Sequence, residues 1–463
     1  MTTQEKNGIT EGVIWKQLLI FFFPILVGSF FQQLYNTVDS VIVGQFVGKE
    51  ALSSVGGSAG QIISLVVGFF TGVSTGATVI ISQYFGAGKK EEIEESLHTA
   101  YAFALVGGLV LGIAGIVFAP QMLRWMNTPE ELIAESVLYV RVYFSGLIFI
   151  FIYNMGAAIL RAVGDSKRPL YYLIVCSVVN IILDLLLILV IPLGVLGAAI
   201  ATLLARVSEF AICVVCAVRS RVIPLDLTAL LHPGMDMARR FLKYASPVVL
   251  NEAAWGLGNS LLTVILGYTD NSVEMLAANA VMGNLSRLLL VVCFGLGAAT
   301  AVLVGKAIGE GQSYQDVLEL SQELLRFSTL IGAGIAVLSL LLIPTLFVPV
   351  LFPMFKLYGE SIAIATALAV TAFAGIPLHA YAISAVTGVL RAGGDVAYAT
   401  ALDLLPQWVI CLPITALCAL VLKSGYWSIA IAIQVECIVK VPFCIRRVRG
   451  GTWIHDVTRG QRT

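Results

Sequence analysis

A helix that crosses a bilayer needs about 20 mostly apolar residues, and stretches meeting that test recur from one end of this 463-residue chain to the other. Twelve are expected, at about 17–43, 55–81, 97–118, 133–157, 169–191, 194–218, 244–268, 275–303, 325–349, 361–387, 398–422 and 426–445. The runs are continuous rather than alternating, which selects helices over a β-barrel, because a helix satisfies its own backbone in lipid. Only 12% of the residues are charged and 58% are hydrophobic, against about a quarter charged in soluble domains. The fold class read from this is all-α: a polytopic membrane protein of twelve transmembrane helices.

The net charge of zero hides an asymmetry. With the N-terminus inside, 21 Lys and Arg fall on the inner side, among them Arg161, Lys306, Arg391 and Lys440, and only Lys49, Arg124, Lys356 and Lys423 on the outer. Arg141, Arg206 and Arg287 are left inside spans. The positive-inside rule then places both termini in the cytoplasm and the chain in the inner membrane. The first apolar run follows a polar start and is too long for a cleaved signal, so it is expected to stay. All eight cysteines fall within spans. Cys213 and Cys216 have C-x-x-C spacing, but on an apolar helix they read as packing residues rather than a redox or metal site.

The chain also repeats itself. A shift of 223 places Pro24 on Pro247, Asn36 on Asn259, Gly44 on Gly267, Gly86 on Gly309 and Gly88 on Gly311. L-R-A-V-G-D at 160–165 returns as L-R-A-G-G-D at 390–395, a shift of 230. Each repeat holds six helices, an even number, so both enter the membrane in the same sense, as parallel-related lobes of secondary carriers do. The expected organisation is an N-terminal lobe over 1–218, a cytoplasmic linker over 219–243 broken by Pro224, Pro233 and Gly234, and a C-terminal lobe with a basic tail over 244–463. The polar stretches 89–97 and 312–323 read as short surface helices, and no phosphate-binding loop is found.

Ionisable groups in a span are costly and face a cavity, a partner or an ion path. Ser29, Gln32, Asn36 and Asp39 share one face of the first span, and Asn180 and Asp184 one face of the fifth. Asp39, Asp184 and Thr202 of the sixth span share the outer half of the membrane in this topology. Two carboxylates together repel, which a proton or a hard monovalent cation relieves. Positions equivalent to Asp39, Asn180 and Asp184 are Leu262, Ile410 and Ile414, so the polar set belongs to one half; structural pairing is the alternative reading. In the seventh span Asn251, Glu252, Trp255 and Asn259 offer a polar and aromatic wall for a cationic substrate. Alternatively, Glu252 pairs with a basic residue such as Arg287. Arg206 and Glu209 read as a local ion pair, Arg141 as snorkelling outward, and His379 and Asp403 have no assigned role.

The P-x11-N-x2-D run from Pro24 to Asp39, Q-x2-G-A-G from Gln83 to Gly88, L-R-A-x-G-D in both halves and N-x3-D at 180–184, in this order, resemble the multidrug and toxic compound extrusion (MATE) family over nearly the whole chain. The resemblance implies a cation site in the N-terminal lobe formed by Asp39, Asn180, Asp184 and Thr202, with Asp39, Asn180 and Asp184 as metal ligands if the cation is sodium. A sodium motif that some relatives carry in the C-terminal lobe is not matched. The expected function is a cation-coupled antiporter, using protons or sodium, that exports amphipathic, often cationic organic compounds by alternating access. Its substrate-binding residues would be Gln32, Asn36, Asn251, Glu252, Trp255 and Asn259. The alternative is a flippase for lipid-linked sugars of the same superfamily. An enzyme is not expected, since four scattered His form no catalytic cluster. Neither a cofactor beyond the coupling ion nor a nucleic-acid partner is expected; the lipid bilayer and small organic substrates are, and the chain is read as a monomer.

Overall fold

The computed structural model describes residues 14–48, 51, 54–55, 57–126, 128–220, 234–355 and 357–458. Thirteen principal helices follow one another: α1 Ile14–Ile42, α2 Ser58–Gly86, α3 Lys90–Trp125, α4 Glu130–Ser145, α5 Leu147–Ala162, α6 Lys167–Asp184, α7 Val195–Ser220, α8 Met235–Gly267, α9 Ser272–Gly309, α10 Tyr314–Leu342, α11 Glu360–Ile383, α12 Val396–Leu405 and α13 Tyr426–Gly450. Wider π-helical turns continue α1 (Val43–Val47), α6 (Leu185–Val190), α10 (Ile343–Leu351), α11 (Ser384–Leu390) and α12 (Pro406–Cys411, then Leu417–Val421). Eleven of these helical stretches are long and apolar enough to cross a membrane, and α4 with α5, bent by 50° at Gly146, makes a twelfth. The twelve expected spans are therefore present.

These helices are apolar toward their outside. On α3 the exposed residues Val106, Leu109, Val110, Ile113 and Val117 recur at helical spacing and form a face suited to lipid. The other side carries Gly108, Gly112 and Gly115, where an added Cβ would press on Ile148 and Phe144. Without a hydrophobic force between helices in lipid, such small residues let backbones approach closely.

Several expectations change. Both polar stretches read as separate surface helices are the opening turns of spanning ones: 90–97 begins α3, and 314–323 begins α10, whose N-cap Ser313 accepts the Asp316 N–H at 3.1 Å. A backbone already helical extends into water at little cost. Likewise 235–243, expected in the linker, is the first part of α8. Its Met237 and Phe241 are buried, and the Phe241 ring stacks on Phe103 at 4.8 Å. The rest of the linker from 221 to 233, with Pro224 and Pro233, lies outside the described residues, as do Lys49, Lys356 and both chain ends.

Contacts divide the chain into two compact units, one of Phe23–Val249 and one joining the residues up to Phe22 with those from Leu250 onward. The sequence boundaries at 218 and 244 differ from this, because α1 and α8 each contribute to both units. The changeovers fall beside Pro24 and Pro247, the first pair matched by the repeat. A proline removes one helical hydrogen bond and loosens the helix at that point.

Two of the repeated glycine pairs are helix stops. Gly164 and Gly394 have φ of 92° and 84°, a left-handed conformation that favours glycine. The following amides close the turn, Asp165 N donating to Leu160 O at 2.8 Å and Asp395 N to Leu390 O at 3.0 Å. Gly88 and Gly311 do the same, with φ of 67° and 71°. One position differs inside the shared hexapeptide: Val163 against Gly393. A Cβ at Gly393 would meet the fully buried Trp453. Trp453 donates its indole N–H to Val448 O at 3.0 Å, and His455 N donates to Gly393 O at 2.8 Å. The segment after α13 thus folds back onto the second L-R-A-G-G-D turn.

Candidate functional site

In the unit of Phe23–Val249, α1 and α6 present the predicted carboxylates, each immediately before its helix widens into π turns that touch one another. Such turns are enriched at functional sites. Asp184 and Asn180 are 0% and 1% exposed. Both oxygens of Asp184, both polar atoms of Asn180 and Oδ1 of Asp39 are buried without a hydrogen-bond partner. The two carboxyl groups interact directly. A buried polar atom is almost always paired, so five such atoms close together mark a cluster with unused polar capacity. Oxygen donors with no base among them suit a proton or a hard cation.

Tyr139 of α4, also buried, interacts with both carboxylates. Sequence reasoning missed it, since a tyrosine in a span carries no signal of its own. Thr202 is half-buried on α7, which packs against α6. Its hydroxyl makes no hydrogen bond to Asn180 or Asp184. Gln32 and Asn36 are exposed on α1.

One turn from Asp39, Tyr35 accepts a hydrogen bond from Arg206, whose other Nη is 2.8 Å from Glu209. That expected local pair is therefore present and buried. Arg141 is exposed at its end of α4 and donates to Ile116 O at 3.2 Å.

In the other unit, the charges are paired. Asp403 of α12 accepts from Asn251 at 2.9 Å and from Lys440 at 2.8 Å, and lies 3.7 Å from Arg391. Lys440 also reaches Glu436 at 2.7 Å. Arg391 is 4.0 Å from Glu252. So Glu252 has a basic neighbour, but it is Arg391; Arg287 is exposed on α9. Arg391 and Lys440, counted among cytoplasmic positive charges, are 3% and 7% exposed and sit inside this network. A hydropathy reading places a cation at the end of a span in the loop, whereas here two acids draw both inward. His379, without an assigned role, bonds Gly375 O at 3.1 Å and lies near Glu436.

The network holds two cations and three carboxylates, with Glu252 the least tightly held. Trp255, one turn on, is 45% exposed. Asn259 turns its amide back to Trp255 O at 3.1 Å. Asn251, expected to face substrate, is 2% exposed and committed to Asp403. The wall is thus Glu252 and Trp255.

Comparison with known proteins agrees with this architecture. The chain is 28% identical over 321 residues to the probable multidrug resistance protein YoeA of Bacillus subtilis, covering 67% of this chain and 68% of that one. It is 25% identical over 442 residues to the uncharacterized transporter YisQ of the same organism, covering 93% of each. Its fold matches the crystal structure of MATE in complex with MaD3S with a TM-score of 0.86 at 21% identity, over 97% of this chain and 99% of that one. The sequence profile of the MatE family matches residues 24–186 and 247–417. The chain is a multi-pass membrane transporter, not an enzyme, and it belongs to the MatE family.

Proposed function

We propose that this transporter is a cation-coupled antiporter of the inner membrane, with both termini cytoplasmic, that exports amphipathic, often cationic organic compounds. The carrying observation is the cluster of orphaned atoms on Asp39, Asn180 and Asp184. A ligand shifts a conformational equilibrium only by binding one state better than another. A proton or sodium ion entering this cluster removes the repulsion between the carboxylates and supplies the partner that Asn180 and Asp184 lack. That favours a drier, closed form of the unit, and release favours a hydrated one. Cation entry and substrate exit then alternate. Multidrug resistance proteins among the relatives support small organic substrates, and Glu252 beside Trp255 supplies an anionic and aromatic wall for a cationic one. The chain works as a monomer and needs no cofactor beyond the coupling ion.

The test is efflux of a cationic dye from proteoliposomes under a pH gradient and a sodium gradient imposed separately. One gradient should drive efflux in the wild type and fail to do so in Asp39→Asn. Equal efflux with and without either gradient would overturn the coupling.

A further inference from the structure

The unit of Phe23–Val249 contains a cavity of about 160 Å³, walled by Phe70 and Phe151 and reached by Thr71, Ser74, Asn154 and Arg161. Arg161 is the arginine of the first L-R-A-V-G-D motif, half-buried in the last turn of α5. Among the described residues it makes no ion pair. The acid four residues on, Asp165, is held by Arg168 at 3.0 Å, and its other oxygen takes the Lys167 and Arg168 amides. Glu209 is held by Arg206. The titratable side chain that acts on Arg161 is Tyr153, a phenol rather than a carboxylate.

The repeat supplies an internal control. Arg391, equivalent to Arg161, is neutralised by Asp403 at 3.7 Å and faces Glu252 at 4.0 Å. The positions matching those acids in the first half are Leu173 and Ser29. The same guanidinium is therefore kept in both halves, but in the first it has lost its carboxylates and gained a cavity. An arginine does not shed its proton, and a charge set in low dielectric calls for a partner. Among the described residues, no carboxylate supplies it.

We propose that this cavity binds a carboxylate carried on a small flat apolar group, with the Arg161 fork on the carboxylate and the rings of Phe70 and Phe151 against the apolar part. Size agrees: an apolar cavity of about 150 Å³ holds one benzene. Planar guanidinium and carboxylate match as paired hydrogen bonds. Asn154 spends one amide N–H on Ile150 O at 2.8 Å, leaving the second for the ligand. This site is separate from the carboxylate cluster and of opposite charge preference, and it does not rest on cation coupling.

The experiment uses the full chain in phosphatidylcholine nanodiscs, with labelled benzoate, benzylamine and benzyl alcohol in equilibrium dialysis and no gradient. One benzoate per chain should bind, and benzylamine should not compete. Arg161→Gln should weaken benzoate by about tenfold or more, the scale of one charge-assisted contact. Thr71→Leu, which narrows the cavity and leaves the guanidinium intact, should also weaken it. Benzylamine binding as well as benzoate, or an unchanged affinity in a folded Arg161→Gln, would overturn the proposal. If Arg161→Gln does not fold, unchanged binding in Thr71→Leu overturns it instead. Displacement of benzoate by phosphatidylglycerol added to the discs would assign the site to an acidic lipid and overturn the small-acid reading.

Discussion

Both units bury carboxylates in spanning helices, yet they treat them oppositely. Around Asp403, two cations and an amide satisfy the acid. Around Asp184, no base is found among the described residues, and its neighbour is a second carboxyl group, Asp39. A paired acid in a low-dielectric interior is structural ballast: breaking it is costly, keeping it gains little. An acid set beside another acid carries a repulsion that a proton or small cation would relieve. The contrast lies in the neighbours of each acid: cations and an amide around Asp403, a second acid beside Asp184.

The largest effect should come from the unpaired side. Asp39→Asn and Asp184→Asn should bring gradient-driven efflux to background while the purified proteins stay folded and still bind substrate; efflux at the wild-type rate in both would erase the distinction between the units. On the paired side, Lys440→Met takes the cation from Glu436 and one of two from Asp403 and should cost about 3–5 kcal/mol, read as a large drop in thermal midpoint. Adding Asp403→Leu should recover much of it. No recovery would mean that Lys440 stabilises through packing rather than charge. Gly393→Val, which copies Val163 of the other half, should cost about 1–3 kcal/mol by overpacking against Trp453, seen as a smaller drop in midpoint. A midpoint equal to wild type would show the tail yielding freely. The smallest change belongs to Glu252→Gln, expected to weaken cationic substrates relative to neutral ones by roughly 1 kcal/mol, measured as paired dissociation constants. Equal weakening of both classes would return Glu252 to the framework.

Much of this was legible in the sequence, and for one reason: polar side chains stand out against apolar spans. Asp39, Asn180 and Asp184 were visible because ionisable and amide groups are costly in lipid. The glycines that marked the repeat were visible because a helix stop needs a residue that tolerates positive φ, and both halves stop in the same places. The burial of Arg391 and Lys440 was not legible, because a charge at the end of a span looks the same whether it reaches water or turns inward; only the partner, Asp403, decides, and it lies 37 residues from Lys440. Tyr139 was silent because its hydroxyl matters only through its neighbours. The early start of α8 was hidden by basic residues, Arg239, Arg240 and Lys243, on the same helix as the buried Met237 and Phe241.

The turn at Gly393 is covered by Trp453, and this places the two halves differently in the order of synthesis. The ribosome delivers the first turn with Val163 already in it, so that corner can form from local chain as soon as it emerges. The second corner closes its own turn through the Asp395 amide, but the cover that Trp453 lays over Gly393 arrives only after sixty further residues and α13 have been made. A ribosome stalled short of Trp453 therefore leaves Gly393 without the side chain that packs on it.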